Sequence, residues 1–144
     1  MGGELGLQGR ARACGEVGRR LACLCLQHDA RAVLRGSRAL GRALEDRGRD
    51  AQGFPNALAT MWTWVSNDQA TGDRVLAEVL APVLKRDPEG LRGQVCIGPV
   101  EHCAELLTRY AAAGCQRVFL WPLGDEQRQL ELVASEVAPM ISGS

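Results

Sequence analysis

The chain has 144 residues, which suits a single domain that buries roughly 70% of the surface of its unfolded chain. Its 17 basic residues balance its 17 acidic ones, so the net charge favours neither nucleic acid nor an anionic membrane as a partner. The sequence has neither a run of about 20 apolar residues nor the apolar core of a signal peptide, which predicts a cytoplasmic protein.

Residues 1–36 show no clear helical or strand period. They contain several arginines but no aromatic side chain that could stack on a base, so a nucleic-acid-binding arm is only weakly indicated. We predict a poorly ordered segment here.

Residues 37–48 are the first stretch with a helical period. Leu40 and Leu44 lie four residues apart, and Gly48 is a typical residue for a helix C-terminus. After a loop, residues 57–65 are apolar on both alternating faces. This pattern predicts a parallel strand that is buried on both sides.

A helix is predicted after this strand. Asn67 or Asp68 can cap its N-terminus, and the segment "KRDPEG" ends it. Its apolar residues recur with the spacing of a single stripe that faces the core. The members of this stripe are Val75, Leu76, Val79, Leu80 and Val83.

The stretch "IGPVEHCAELLTRYAAAG" predicts another helix. Pro99 suits its first position, Glu101 lies in its first turn, and Gly114 ends it. His102 is predicted as a surface residue, with a catalytic base as the minor alternative. The apolar stripe consists of Cys103, Leu106, Leu107 and Tyr110.

The last elements are a strand over residues 118–121, a turn, and a helix with Leu130, Val133 and Val137 on one side. The order strand, helix, helix, strand, helix with short links predicts an α/β fold with parallel strands. Since two parallel strands do not make a stable sheet, their apolar faces imply further neighbours.

The six cysteines form no CxxC pair and follow no zinc-finger spacing. We therefore interpret them as small apolar residues in a reducing compartment, and we expect no metal. A metal site at Cys23, Cys25 and His28 is the minor alternative. The full set is Cys14, Cys23, Cys25, Cys96, Cys103 and Cys115.

Three stretches resemble the C-terminal part of luciferase-like monooxygenases, a family of flavin- or F420-dependent oxidoreductases. They are "GFPNALATMWTWVSND", "IGPVEHCAELLTRYAAAGCQRVFLWPLGD" and "QLELVASEVAP". The resemblance implies a (β/α)8 barrel, of which this chain holds about the last two strands and their helices. It implies FMN or F420 as coenzyme and a small organic molecule as substrate.

In such a barrel the active site lies after the strands, so the resemblance implies a coenzyme-binding loop at the end of the last strand. Its residues are Trp121, Pro122, Leu123, Gly124 and Asp125. An ordinary turn, with Asp125 as a helix cap, remains the alternative. Trp62 and Trp64 share one face of the earlier strand, where they either pack in the core or contact a ring of the coenzyme or substrate.

The family segments expected upstream of Ser37 are missing, but shifting the frame by one base recovers a family-like string, "GDWLASAYNTTPERF". We therefore predict that residues 1–36 are an out-of-frame translation and that residues 37–144 are a C-terminal barrel fragment. Such a fragment lacks most of the coenzyme site and is expected to be inactive alone. The alternative is a non-catalytic truncated product or a fragment that associates with another barrel protein, and exposed barrel faces favour self-association.

Overall fold

The computed structural model describes residues 22–24, as backbone only, and residues 30–141. Four strands in these ranges form one parallel sheet: β1 (Ala22–Leu24), β2 (Asn56–Val65), β3 (Cys96–Gly98) and β4 (Val118–Pro122). Five helices connect or follow them: α1 (Ala30–Glu45), α2 (Gln69–Val75, continuing through Leu76–Leu80 and Ala81–Leu84), α3 (Pro88–Arg92), α4 (Val100–Ala112) and α5 (Glu126–Leu132, continuing through Val133–Val137 and Ala138–Met140).

The long strand β2 is the centre of the sheet. Leu58 pairs with β1 and also with β4, and Thr63 pairs with β3 and also with β4. A residue pairs with only one strand on each of its two sides, so β1 and β3 share one edge of β2 and β4 occupies the other. The predicted α/β class with parallel strands is confirmed.

A β-bulge interrupts the pairing of β2 with β4. Leu58 pairs with Val118 and Met61 pairs with Leu120, so three steps along β2 match two steps along β4. One extra residue in a strand reverses the alternation of its side chains. The bulge therefore explains why Leu58 and Met61, which are an odd number of residues apart, belong to the same core cluster.

Helices cover both faces of β2. Leu58, Met61 and Val65 pack in a buried cluster with residues of α1, α4 and the end of α5. Trp62 and Trp64 pack on the opposite side against a second cluster, formed mainly by α2, α3 and the segment leading into β3. The buried members of this second cluster are Leu76, Leu80, Ala81, Leu91, Val95 and Ile97.

No residue of β2 is exposed, which agrees with the strand buried on both sides that its sequence predicts, so β2 contributes no exposed barrel face. β4 is different, since Phe119 is 49% exposed and Trp121 is 52% exposed. In the described part of the chain β4 pairs with β2 alone, and its other edge is open.

The predicted apolar stripe of α4 is buried throughout, whereas those of α2 and α5 are only partly buried. Leu76 and Leu80 of α2 are buried, but Val79 is 44% exposed and Val83 is 71% exposed, so the stripe extends too far around the helix. On α5, Val137 is buried whereas Leu130 is 46% exposed.

The boundaries of β2 and β4 confirm the predicted strands within one residue, and the helix that precedes Gly114 is confirmed as α4. The strand β3 and the helix α3 were not predicted. The helix predicted over residues 37–48 begins earlier, at Ala30. Most of residues 1–36 lies outside the described residues, and the frame shift stays a prediction. None of the described helices has the length and apolarity needed to cross a membrane.

Candidate functional site

The carboxyl ends of β2, β3 and β4 lie at the same end of the sheet, because the strands are parallel. In barrels and open α/β sheets this is the end where ligands bind. Residues 66–68 follow β2. Gly98 ends β3 and is followed by Pro99, and the predicted coenzyme loop 121–125 begins with the last two residues of β4. We describe this strand-end region as the candidate site.

Trp121 has a structural contact that its position in the sequence does not reveal. Its indole Nε1 donates a hydrogen bond to the carbonyl oxygen of Ala59 at 3.1 Å. Ala59 lies in the bulge, where regular ladder pairing is interrupted. The ring centroid lies 5.9 Å from that of Trp62, with an interplanar angle of 59°. Trp121 is therefore held in one orientation while half of its surface stays open.

The next three residues of the loop lie against β2. Pro122 ends β4, and the backbone N–H of Leu123 donates to the carbonyl oxygen of Thr63 at 3.1 Å. A Cβ placed on Gly124 would lie 3.5 Å from Cζ3 of Trp64. This part of the loop is a turn that packs against the carboxyl end of β2.

Asp125 occupies the N-cap position of α5 with a left-handed backbone (φ 46°), but its side chain makes no capping hydrogen bond. Its carboxylate lies 3.9 Å from Arg128, and Glu126 follows in the first turn. Two acidic side chains at this helix start oppose a phosphate group there. The predicted loop can offer an aromatic surface, but not an anchor for phosphate.

Gln129 is a buried site residue that the sequence analysis missed. Its Oε1 accepts from the N–H of Val65 at 2.6 Å, and its Nε2 donates to the carbonyl oxygen of Val65 at 3.1 Å. The side-chain amide thus makes the two backbone hydrogen bonds that a neighbouring strand would otherwise make with the end of β2. Gln129 lies four positions before Val133 and eight positions before Val137, so it belongs to the same helical stripe. A polar residue within an apolar stripe was the signal that could have revealed it.

The end of β2 also carries the N-cap of α2. The carboxylate of Asp68 accepts from the N–H of Thr71 at 2.7 Å and from its hydroxyl at 2.9 Å. These hydrogen bonds from Thr71, the backbone one first, lower the pKa of Asp68. The predicted cap is confirmed. The Ser66 hydroxyl donates to the backbone oxygen of Asp68 at 2.7 Å, which tightens the turn.

At the end of β3 two backbones approach closely. A Cβ on Gly72 would lie 2.7 Å from the Cα of Gly98, a distance that side-chain-bearing residues do not tolerate. Gly98 itself has φ 139°, a conformation that favours glycine. The first turn of α2 therefore lies directly on the end of β3.

Several polar side chains lie beside this contact between α2 and β3. Asp73 accepts from Nε2 of Gln69 and from Nη1 of Arg92, both at 2.7 Å. The hydrogen bond from Gln69 is the main cause that lowers the pKa of Asp73, with Arg92 contributing further. His102 was predicted as a surface residue, but it is half-buried, and its Nε2 is buried without a hydrogen-bond partner.

The three described cysteines, Cys96, Cys103 and Cys115, are buried free thiols. The hydrogen bond with Cys103, together with burial, raises the pKa of Cys96, and burial raises the pKa of Cys115. Their burial agrees with the prediction that these cysteines are small apolar residues. The side chains of Cys23 and Cys25, and all of His28, lie outside the described residues. Within the described ranges no three potential ligands are grouped around a metal position.

Several solved structures share this fold, including the following three. The coenzyme F420 dependent tetrahydromethanopterin reductase from Methanopyrus kandleri has 14% identity and a TM-score of 0.67, covering 94% of this chain and 49% of that chain. An F420-dependent secondary alcohol dehydrogenase, solved with an F420-acetone adduct, has 13% identity and a TM-score of 0.72, covering 94% and 46%. The oxygenating constituent of 3,6-diketocamphane monooxygenase, from the CAM plasmid of Pseudomonas putida and solved with FMN, has 17% identity and a TM-score of 0.61, covering 93% and 46%.

These similarities establish the fold. The predicted fold class, α/β and a portion of a (β/α)8 barrel, is confirmed, and the chain spans less than half the length of each of these solved structures. Comparisons with protein-family models and with curated protein sequences give no match.

The described strand-end residues fit only part of a flavin-type coenzyme. The open surface of Trp121 suits a planar ring. Four backbone N–H groups at this end, those of Val65, Ser66, Thr71 and Leu123, already donate within the protein. These four groups therefore offer no cradle for a phosphate.

Proposed function

We propose that this chain is the C-terminal part of a flavin- or F420-dependent luciferase-like oxidoreductase and forms one wall of its coenzyme site. The observation that carries the proposal is the superposition of more than nine-tenths of the chain on about half of F420- and FMN-dependent barrel enzymes. The three sequence stretches that resemble the same family support it independently.

The contribution of this chain is an apolar, aromatic wall at the carboxyl end of β2 and β4. Trp121 is fixed by its hydrogen bond to Ala59 and by contact with Trp62, so its exposed surface needs no reordering to meet a planar ring. In this class of enzyme the coenzyme supplies hydride transfer or oxygen activation. The protein binds the coenzyme and a small organic substrate and orients them.

The same geometry supports inactivity of the 144-residue chain by itself. The carboxylates of Asp125 and Glu126 oppose a phosphate, and the backbone N–H groups of Val65, Ser66, Thr71 and Leu123 already donate within the protein. We therefore expect the main anchoring groups for the coenzyme to come from barrel strands beyond those described. A cytoplasmic location is part of this proposal.

The predicted frame shift gives the first test. The nucleotide sequence that encodes residues 1–36, read one base later, is expected to give the family-like string "GDWLASAYNTTPERF" and to continue upstream into earlier barrel strands. Stop codons or an unrelated string in that frame would refute the frame shift but leave the fold unaffected.

Coenzyme binding gives the second test. Fluorescence titrations with FMN and with F420 are expected to show no saturable binding to the 144-residue chain. They are expected to show binding to a version with the restored frame and the upstream strands, with weaker binding after Trp121→Leu. Micromolar binding by the short chain would place the site within residues 57–125. Failure of the restored version with both coenzymes would count against the family assignment.

A second candidate function is that of a non-catalytic fragment that associates with another protein chain. The open edge of β4 and the exposed side chains of Phe119 and Trp121 favour it. The two candidates differ in their first readout, which is coenzyme binding for one and assembly for the other.

A further inference from the structure

The open edge of β4 presents a defined set of backbone groups. The carbonyl oxygen of Arg117 accepts from Leu58, and the N–H of Leu123 donates to Thr63, so the odd-numbered residues of β4 direct their backbone groups towards β2. Because these directions alternate along a strand, the N–H and C=O groups of Val118 and Leu120 point away from β2. No described strand pairs with them there.

The side chains of the same strand divide between its two faces. Val118 and Leu120 pack against the core cluster that contains Leu58. Phe119 and Trp121 lie on the opposite face and are each about half exposed. An edge strand with free backbone groups and an apolar face is a template for pairing with another strand.

We propose that a second copy of this chain pairs with β4, edge to edge and antiparallel, about a two-fold axis at Phe119. Val118 then lies opposite Leu120 of the second copy, and the two residues exchange both of their free N–H and C=O groups. The same exchange occurs on the other side of the axis. Pro122 has no N–H group, so the ladder ends there.

This register is self-complementary in its side chains. Phe119 lies opposite Phe119 of the second copy in a pair without direct backbone hydrogen bonds, where side chains approach most closely. Trp121 lies opposite Arg117 of the second copy on the same face. Arg117 is exposed and forms no ion pair within the described ranges, so its guanidinium is free to contact the indole face. The zero net charge of the chain adds no repulsion between copies.

The proposal does not depend on coenzyme binding. A further barrel strand and a second copy would need the same backbone groups of Val118 and Leu120, so the two modes of pairing exclude each other. A longer version that contains the upstream barrel strands is therefore expected to be free of this dimer.

Sedimentation velocity over a concentration series is the first experiment. The 144-residue chain is expected to form a dimer, and Phe119→Lys is expected to shift it to monomer because it places like charges directly opposite each other. Leu130→Lys is the matched control, since Leu130 is exposed to a similar degree but lies on α5. A monomer at all concentrations, or a dimer that Phe119→Lys leaves intact, would overturn the proposal.

Crosslinking tests the register. The two Cα atoms at position 119 would lie about 4.5 Å apart, which is within the range of a disulfide. Under mild oxidation Phe119→Cys is expected to give several-fold more covalent dimer than the wild-type chain or Leu130→Cys. Equal yields for the two substitutions would overturn the antiparallel register. Leu120→Pro removes an outward N–H and spares the backbone hydrogen bonds to β2, so a dimer that persists in this variant would overturn pairing through the backbone.

Discussion

Replacement of Gln129 by leucine tests how the end of β2 is held. The side chain of Gln129 is only 3% exposed and pairs with both backbone groups of Val65. Leucine has a similar size but leaves the N–H and C=O of Val65 unpaired and buried. Each unpaired group costs about 1–3 kcal/mol, and burial of the leucine side chain offsets about 1–2 kcal/mol. With mid-range values for these contributions, we expect Gln129→Leu to lower the free energy of unfolding by about 2–3 kcal/mol.

Gln129→Glu separates the hydrogen bonds from simple packing. A protonated carboxyl can accept from Val65 and donate to it, whereas a carboxylate can only accept and faces the carbonyl oxygen. Burial and this repulsion raise the pKa of the introduced carboxyl in the folded state. The variant is therefore expected to be close to wild type below the unfolded-state pKa of about 4.3. Above that pH it should lose about 1.4 kcal/mol per pH unit relative to wild type, up to the folded pKa.

Urea unfolding followed by tryptophan fluorescence measures both effects, with wild type and variant compared at each pH. Gln127→Leu is the matched control, because Gln127 lies on the same helix, is exposed and bonds only to Glu131. It should stay within about 0.5 kcal/mol of wild type. A loss in Gln129→Leu no larger than in this control, or a pH-independent Gln129→Glu, would refute the reasoning.

Two further predictions concern the same end of the sheet. Gly72→Ala should destabilise the fold by about 1–3 kcal/mol, because its Cβ would meet the Cα of Gly98 at 2.7 Å. The control Gly90→Ala, whose Cβ would have no atom within 4 Å, should be neutral or stabilising. Equal unfolding midpoints of the two variants in urea would contradict the close contact. Asp68→Ala should lower the melting temperature at pH 7. Since the hydrogen bonds from Thr71 lower the folded pKa of Asp68 below its ordinary value, the difference from wild type should vanish as the pH falls through that folded pKa. A difference that persists unchanged in acid would argue against an ionised cap.

Local signals in the sequence were sufficient for the longer elements. β2 is ten residues long and apolar on both sides, and Asp68 begins the next helix by a hydrogen bond to a residue three positions away. Such features depend on neighbours in the chain, so they can be predicted without knowledge of the fold. The three-residue strand β3 and the five-residue helix α3 are too short to show a period.

The candidate site was predictable in position but not in detail. The loop 121–125 follows the last strand, as the sequence indicated, but the role of the Trp121 N–H depends on a bulge in a distant segment. Gln129 finds its partner 64 residues away. The exposure of Val79 and Val83 likewise depends on which side of α2 meets the sheet, which apolar spacing alone does not specify.

The contact between Trp62 and Trp121 provides an optical reporter of how β4 is attached. Two indoles at 5.9 Å and tilted by 59° couple their electronic transitions, and such coupling produces a paired band of opposite signs in circular dichroism. The band depends on β2 and β4 being in register, whereas the helical signal does not. Detachment of the edge strand would therefore be visible as loss of the paired band while helicity remains, which separates fraying of β4 from global unfolding without any added label.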